Sequence, residues 1–169
     1  MTLIQRIFRC LFILALWWAH SSQAQLHGVV VGVSDGDTVT VLDSAKTQYK
    51  IRLSGIDAPE KKQAFGQRSK QSLSDLVFNR PVTVEWNKHD RYGRIIGKLI
   101  TANGIDANLE QIKKGMAWHY KQYEKEQPQQ DRISYAHAED EARTARMGLW
   151  HDQQPLPPWE FRHNPSKRQ

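Results

Sequence analysis

Apolar residues in the first half of this chain tend to alternate with polar ones, and later they also fall three and four positions apart. The runs Leu26–Val33, Asp37–Leu42 and Thr47–Leu53 are β-branched or alternating, with turn formers between them, and predict three strands. Asp35-Gly36 joins the first pair and residues 43–46 join the second. A polar stretch, Gly66–Val77, then places Leu73, Leu76 and Val77 at i, i+3 and i+4, which predicts a helix ended by Asn79-Arg80-Pro81. Alternation returns in Pro81–Asn87, with Val82, Val84 and Trp86 on one face, and in Arg94–Thr101. Asn103-Gly104 turns the chain. A short helix is expected from Asp106, closed by Gly115. A last helix is expected over Ile133–Arg146, with Ala138, Ala142 and Ala145 inward and Gly148 as its stop.

Five short strands, one helix between the third and fourth and two more at the end describe a mainly β chain with about three α-helices. The five-stranded OB-fold barrel is the expected architecture, with an SH3-like barrel as the alternative. No internal repeat and no second domain is evident. The organisation read from the sequence is a leader over 1–24, one barrel domain over 25–152 and a proline-rich basic tail over 153–169. The proline part of that tail is expected to be extended.

The leader reading comes from composition. Arg6 and Arg9 precede the apolar run Cys10–Ala19, which is too short to span a bilayer comfortably, and Ser22 and Ala24 supply small residues for cleavage after Ala24. The implied destination is the periplasm or the medium. Removing 24 of 169 residues leaves 145, enough for one domain with its own core. The single cysteine, Cys10, leaves with the leader, which excludes disulfides, thiolate metal sites and cysteine nucleophiles from the remainder. Losing two of the 24 basic residues leaves 22 against 18 acidic ones, compatible with a polyanionic partner without requiring one.

Two acidic stretches stand out. "SDGDTV" carries Asp35 and Asp37 around a glycine, and "GIDAPE" carries Asp57 and Glu60 on a link stiffened by Pro59. Read alone, the first is an ordinary acidic hairpin turn and the second a polar loop. In a small barrel the hairpin after strand one and the exit of strand three can lie side by side, so Asp37 and Asp57 could face one spot. Two carboxylates, a backbone carbonyl and waters would suit a hard cation such as Ca²⁺, although the EF-hand pattern is absent. Arg52 projects from the third strand on the face opposite Tyr49, Ile51 and Leu53, and Arg94 opens the fifth. A guanidinium holds two phosphate oxygens at once, and two of them with a cation would neutralise a phosphodiester under attack. Each arginine alone also reads as a solvated strand-edge charge. The histidines have no H-E-x-x-H spacing, and no G-x-S-x-G marks a serine hydrolase.

The order of "SDGDTV", "IRLSGIDAPE", "DRYGR" and "KKGMAW" across a five-strand pattern resembles the staphylococcal nuclease (thermonuclease) family, over about 29–150. The ending "PLPPWEFR" also looks like that of bacterial secreted members. The resemblance implies a calcium-dependent phosphodiesterase on an OB-fold barrel, cutting DNA and RNA to 3′-phosphates. It implies Asp37 and Asp57 as carboxylate ligands, the Ala58 carbonyl as a third, and Asp35 behind them. Glu60 matches the general base or water-orienting residue, and Arg52 and Arg94 the clamp on the scissile phosphate. Arg91 and Tyr92 fall where a neighbouring phosphate is contacted, and Tyr123 near an aromatic wall for a base. Expected partners are DNA or RNA, with no membrane association once the leader is removed, and a monomeric state. The competing class is a non-catalytic OB-fold protein that binds single strands; it would need a basic groove and stacking aromatics but not the acids.

Overall fold

The computed structural model describes residues 24–163. The leader expected over 1–24 lies outside the described residues apart from Ala24, as do the last six residues of the tail. Among the described residues no helix is long and apolar enough to cross a membrane.

Five strands close a barrel. β1 (Ala24–Asp35), β2 (Thr38–Leu42) and β3 (Gln48–Leu53) form an antiparallel meander; β5 (Pro81–His89) and β6 (Ile95–Thr101) form a hairpin. The meander and hairpin join at both edges, antiparallel between β1 and β5 and parallel between β3 and β6, giving the order β1-β2-β3-β6-β5. This is the OB-type barrel expected from the pattern. Each predicted strand is present, with ends shifted by one or two residues. β1 bends through two bulges, at Val30/Gly32 and Val33/Asp35, which lets a long strand serve both neighbours. Alternation fills the interior with Val30, Val39, Val41, Ile51, Leu53, Val82, Val84, Ile95 and Leu99, all nearly or fully buried.

Four α-helices cover the barrel. α1 (Gly66–Val77) has the predicted bounds and buries Leu73 and Val77; each such side chain contributes about 1.5–3 kcal/mol. It ends where Asn79 adopts a left-handed conformation (φ 56°) before Pro81 begins β5. α2 (Ala107–Lys113) begins under an Asp106 cap, whose carboxylate accepts from the Leu109 amide at 3.0 Å, and reverses at Gly115 (φ 63°). It sits against α1, β6 and α3 (Gln129–Thr144). α3 starts four residues earlier than predicted, because Pro128 sets its entry and the first turn, Gln129–Arg132, has no apolar residue to betray it. Its inner side also differs: Ala138 and Ala142 are buried, but Ala145 is exposed, and Tyr135 and Glu139 complete the face. Arg146 (φ 51°) turns the chain two residues before Gly148.

Two short elements extend the barrel floor. β4 (Ile56–Asp57) pairs with β7 (Trp118–His119), setting Asp57 opposite Trp118. The tail is not extended throughout. Pro158 opens α4 (Pro158–His163), a short helix whose Phe161 is buried and whose Trp159 packs edge-on against Trp118, with centroids 5.4 Å apart. The physical reason is apolar: Trp159 and Phe161 give this segment a hydrophobic side that pays for its ordering.

Candidate active site

The β1–β2 hairpin is anchored from below. Gln111 of α2 is fully buried and donates to the Gly36 carbonyl at 2.8 Å and the Ser69 carbonyl at 3.0 Å. Gly36 is packed so closely that a Cβ there would lie 1.8 Å from Ser69 Oγ and 2.8 Å from Ala58 Cβ. The turn is thus pressed against the "GIDAPE" loop and has no room for a side chain. Asp37 is held in turn: the Ala58 amide donates to its Oδ2 at 2.7 Å and Thr38 Oγ1 to its Oδ1 at 3.0 Å. The Asp35 carboxylate accepts from the Asp37 amide at 3.2 Å.

Asp37 and Asp57 meet. One nitrogen of Arg52, Nη2, lies 3.1 Å from Asp37 Oδ2 and 2.8 Å from Asp57 Oδ1. Arg52 Nη1 donates to the Leu53 and Ile56 carbonyls at 2.9 Å each. Three of these contacts are hydrogen bonds and the one to Asp37 is an ion pair, and together they lock the side chain to its own strand exit. Both carboxylates are buried, Asp57 completely. Burial pushes Asp57 above the usual carboxylate range and Asp37's charge adds to this, while Arg162 and Arg52 pull the other way. Asp35 is pushed up to about 6, first by burial and then by Asp37 beside it.

The remaining candidates stand around the same opening. A cleft of about 1340 Å³ is lined by all ten sequence-derived site residues: Asp35, Asp37, Arg52, Asp57, Ala58, Glu60, Arg91, Tyr92, Arg94 and Tyr123. Arg94 does not reach across to the acids. Its Nε and Nη2 bind Asp90 at 2.8 and 2.7 Å, and Asp90 Oδ1 also accepts from the Tyr92 and Arg94 amides. Slight burial pushes Asp90 up, but the Arg94 contacts and the Tyr92 amide more than reverse this and hold it below its ordinary value. Tyr92 is exposed, with Arg91 and Arg94 against its ring at 4.8 and 5.7 Å. Tyr123 is also exposed, with Lys88 over its ring. Lys88 in turn pairs with Glu126, tying the β5 end of the cleft to the 121–126 turn.

Sequence reasoning missed Arg162. Its Nη1 and Nη2 straddle Asp57 at 3.2 and 2.8 Å, and Nη1 also binds Glu60 Oε1 at 2.8 Å. Trp159 and Tyr120, which stack at 5.7 Å, were missed too. The only signal was an aromatic pair interleaved with a charge in "PWEFR", within a tail read as extended.

The donor chemistry of the acidic side fits a hard cation. Asp37 and Asp57 crowd two carboxylates into a buried place where the Asp37 charge raises the cost of ionising Asp57, and the Ala58 main chain lies alongside. No group of three His, Cys, Asp or Glu side chains is gathered as a metal cage among the described residues. An ion here would need backbone oxygen and water to complete its shell, as Ca²⁺ accepts.

Comparison with known proteins gives the chain a family. The family profile described as "Staphylococcal nuclease homologue" matches residues 50–152, from within β3 to beyond α3. The chain belongs to the staphylococcal nuclease family. Among its relatives in that family, an Escherichia coli protein named "Uncharacterized endonuclease" is 44% identical over 140 residues, covering 83% of this chain and 87% of the relative. A Haemophilus influenzae protein of the same name is 44% identical over 133 residues, covering 79% and 71%. A Shigella flexneri protein named "Micrococcal nuclease" is 40% identical over 147 residues, covering 82% of each. The family and these relatives make the chain a nuclease, a hydrolase whose substrate is nucleic acid.

Proposed function

We propose that this nuclease is an exported, calcium-dependent phosphodiesterase that hydrolyses DNA and RNA to 3′-phosphate and 5′-hydroxyl products. The observation that carries the reading is the single Arg52 nitrogen bridging Asp37 and Asp57 in a cleft that Arg94 also lines. Export rests on the N-terminal sequence alone, Arg6 and Arg9 before the apolar run 10–19.

Asp37, Asp57 and the Ala58 carbonyl would hold the ion, with Asp35 fixing the turn behind Asp37 through its amide. When bound, Ca²⁺ would supply positive charge to a non-bridging phosphate oxygen. The chain's own residues carry the rest. Glu60 takes a proton from the attacking water, whose oxygen bonds to phosphorus opposite the 5′ oxygen. The P–O5′ bond breaks, the 5′ oxygen takes a proton from solvent, and phosphate stays on the 3′ side. Arg52 would donate to an equatorial oxygen through the Nη2 that now bridges the two acids, and Arg94 through the Nη1 that Asp90 leaves free, as charge builds. Arg52 is already held by two carbonyls, so little ordering remains to be done in the reaction. Arg91 and Tyr92 serve the neighbouring phosphate, and Tyr123 offers a face to a base.

A non-catalytic strand-binding barrel has no use for this acidic wall, since carboxylates repel phosphate. The test is incubation of the protein with single-stranded DNA and with RNA, in Ca²⁺ and in chelator. Products bearing 3′-phosphate in Ca²⁺ alone are expected. Binding without cleavage in either condition overturns the proposal.

A further inference from the structure

Asp57 has no free oxygen in this structure. Its Oδ1 accepts from Arg52 and Arg162, its Oδ2 accepts from Arg162, and the side chain is 1% exposed. Three guanidinium N–H groups already occupy three of its roughly four lone-pair sites, so a divalent ion on this carboxylate would sit against two positive charges unless one guanidinium gives way. The two arginines are not equally free to do so. Arg52 sits on a barrel strand, is 14% exposed, and is bonded to two main-chain carbonyls as well as two acids. Arg162 is 39% exposed and belongs to a six-residue helix near the chain end, and its contacts here go to Asp57 and Glu60.

We infer that Arg162 is a tethered cation filling the place a divalent ion would take on Asp57, so that ion binding and the Arg162–Asp57 contact exclude one another. The inference rests on the reading of Asp57 as an ion ligand. The helix that delivers Arg162 is built to stay. Phe161 is buried, Trp159 stacks on Tyr120, and the Gln63 amide donates to the Leu156 carbonyl just before it. With α4 docked, the guanidinium remains close by after release, and its local concentration stays high. It therefore competes with the ion continuously. The same side chain binds Glu60, so in the ion-free protein the proposed base is also engaged. Arg162 is thus a positioning residue: without the ion it offsets the repulsion between Asp37 and Asp57, and on ion binding it frees both Asp57 and Glu60 together.

The test is calorimetric titration of the full chain with Ca²⁺ alone, comparing wild type with Arg162→Gln and with Arg80→Gln. Arg80 is exposed and outside the cleft, and its variant controls for net charge. The Arg162 variant should bind Ca²⁺ roughly tenfold tighter or more, because the ion no longer displaces charge-assisted hydrogen bonds; the Arg80 variant should stay within about twofold of wild type on electrostatic screening grounds. In wild type, the Arg162 side-chain nitrogen signals in ¹⁵N NMR, assigned by their loss in the variant, should move as Ca²⁺ is added. This measurement still decides if the variant folds poorly, with the signals then assigned by sequential connectivity. Equal affinities, or Arg162 signals that stay put while Ca²⁺ binds, overturn the inference and leave the calcium reading standing. Absence of Ca²⁺ binding in wild type and variant alike overturns both.

Discussion

Arg52→Lys keeps a positive charge at the acidic pair and removes the planar fork, so it separates charge from geometry. The native side chain makes four contacts at 2.8 to 3.1 Å: two to the carbonyls of Leu53 and Ile56 and two to Asp57 and Asp37. A lysine ammonium placed between the acids cannot also reach both carbonyls. Losing two hydrogen bonds to a charged group, at the lower end of about 1.5–3 kcal/mol each, amounts to about 3 kcal/mol of stability. Burial of this side chain justifies little discount for solvent. On the proposed chemistry the variant also loses one oriented donor to the phosphate, which typically lowers turnover by about 10²- to 10³-fold. Urea unfolding measures the first effect, and single-turnover cleavage of end-labelled single-stranded DNA in Ca²⁺, well below the unfolding midpoint, measures the second. A variant destabilised as expected but cleaving at the parent rate would assign Arg52 to holding the loop and refute its role on the phosphate.

Glu60→Gln should reduce turnover by about 10²- to 10⁴-fold at saturating Ca²⁺, the range for a lost general base; a turnover loss under tenfold would remove Glu60 from that role. Gln111→Leu should destabilise the fold by about 2–4 kcal/mol, because the buried Gly36 and Ser69 carbonyls lose their donor; unfolding curves superimposed on wild type would refute the anchoring argument. Asp106→Ala removes the cap of α2 and the acceptor of the Tyr135 hydroxyl, costing about 2 kcal/mol. Burial raises the Asp106 carboxyl above 3.8 in the folded state. Its contribution is therefore full below that value and declines as pH rises through the folded pKa. The stability gap between wild type and Asp106→Ala should narrow between pH 4 and 7 in urea unfolding, and a gap that widens would contradict the sign.

The barrel was legible because its strands carry a period of two in β-branched residues, and the α1 bounds followed from the Leu73–Val77 spacing and the Pro81 stop. The α3 start was not, since "PQQDR" has no apolar side to register, and its inward Glu139 hides behind a charge. That carboxylate is buried only because the His119 amide, Lys121 and Arg143 surround it, at 3.1, 3.0 and 3.6 Å. Such neighbours come from elsewhere in the chain and leave no local pattern. The convergence of Asp37 and Asp57 was readable from topology once β1–β2 and the β3 exit were placed together. Arg94's capture by Asp90 was written in "DRYGR" but is a matter of side-chain choice, which periodicity does not address. Arg162 lies 102 positions beyond Glu60 and reaches it only because Trp159 and Phe161 dock.

The parallel seam between β3 and β6 joins Ile51 to Ile95 and Arg52 to Ile96, and with the β1–β5 seam it pairs segments far apart in the chain, whereas the other barrel pairings are hairpins. Zipping that seam requires the intervening helix and hairpin to have found their places, a late event for a chain that must bring distant segments together. During refolding, the hairpins can recover their circular dichroism before Arg52 and Arg94 come to line one cleft. Cleavage activity should return only with the slowest phase, making the enzyme its own reporter of when the ring has shut.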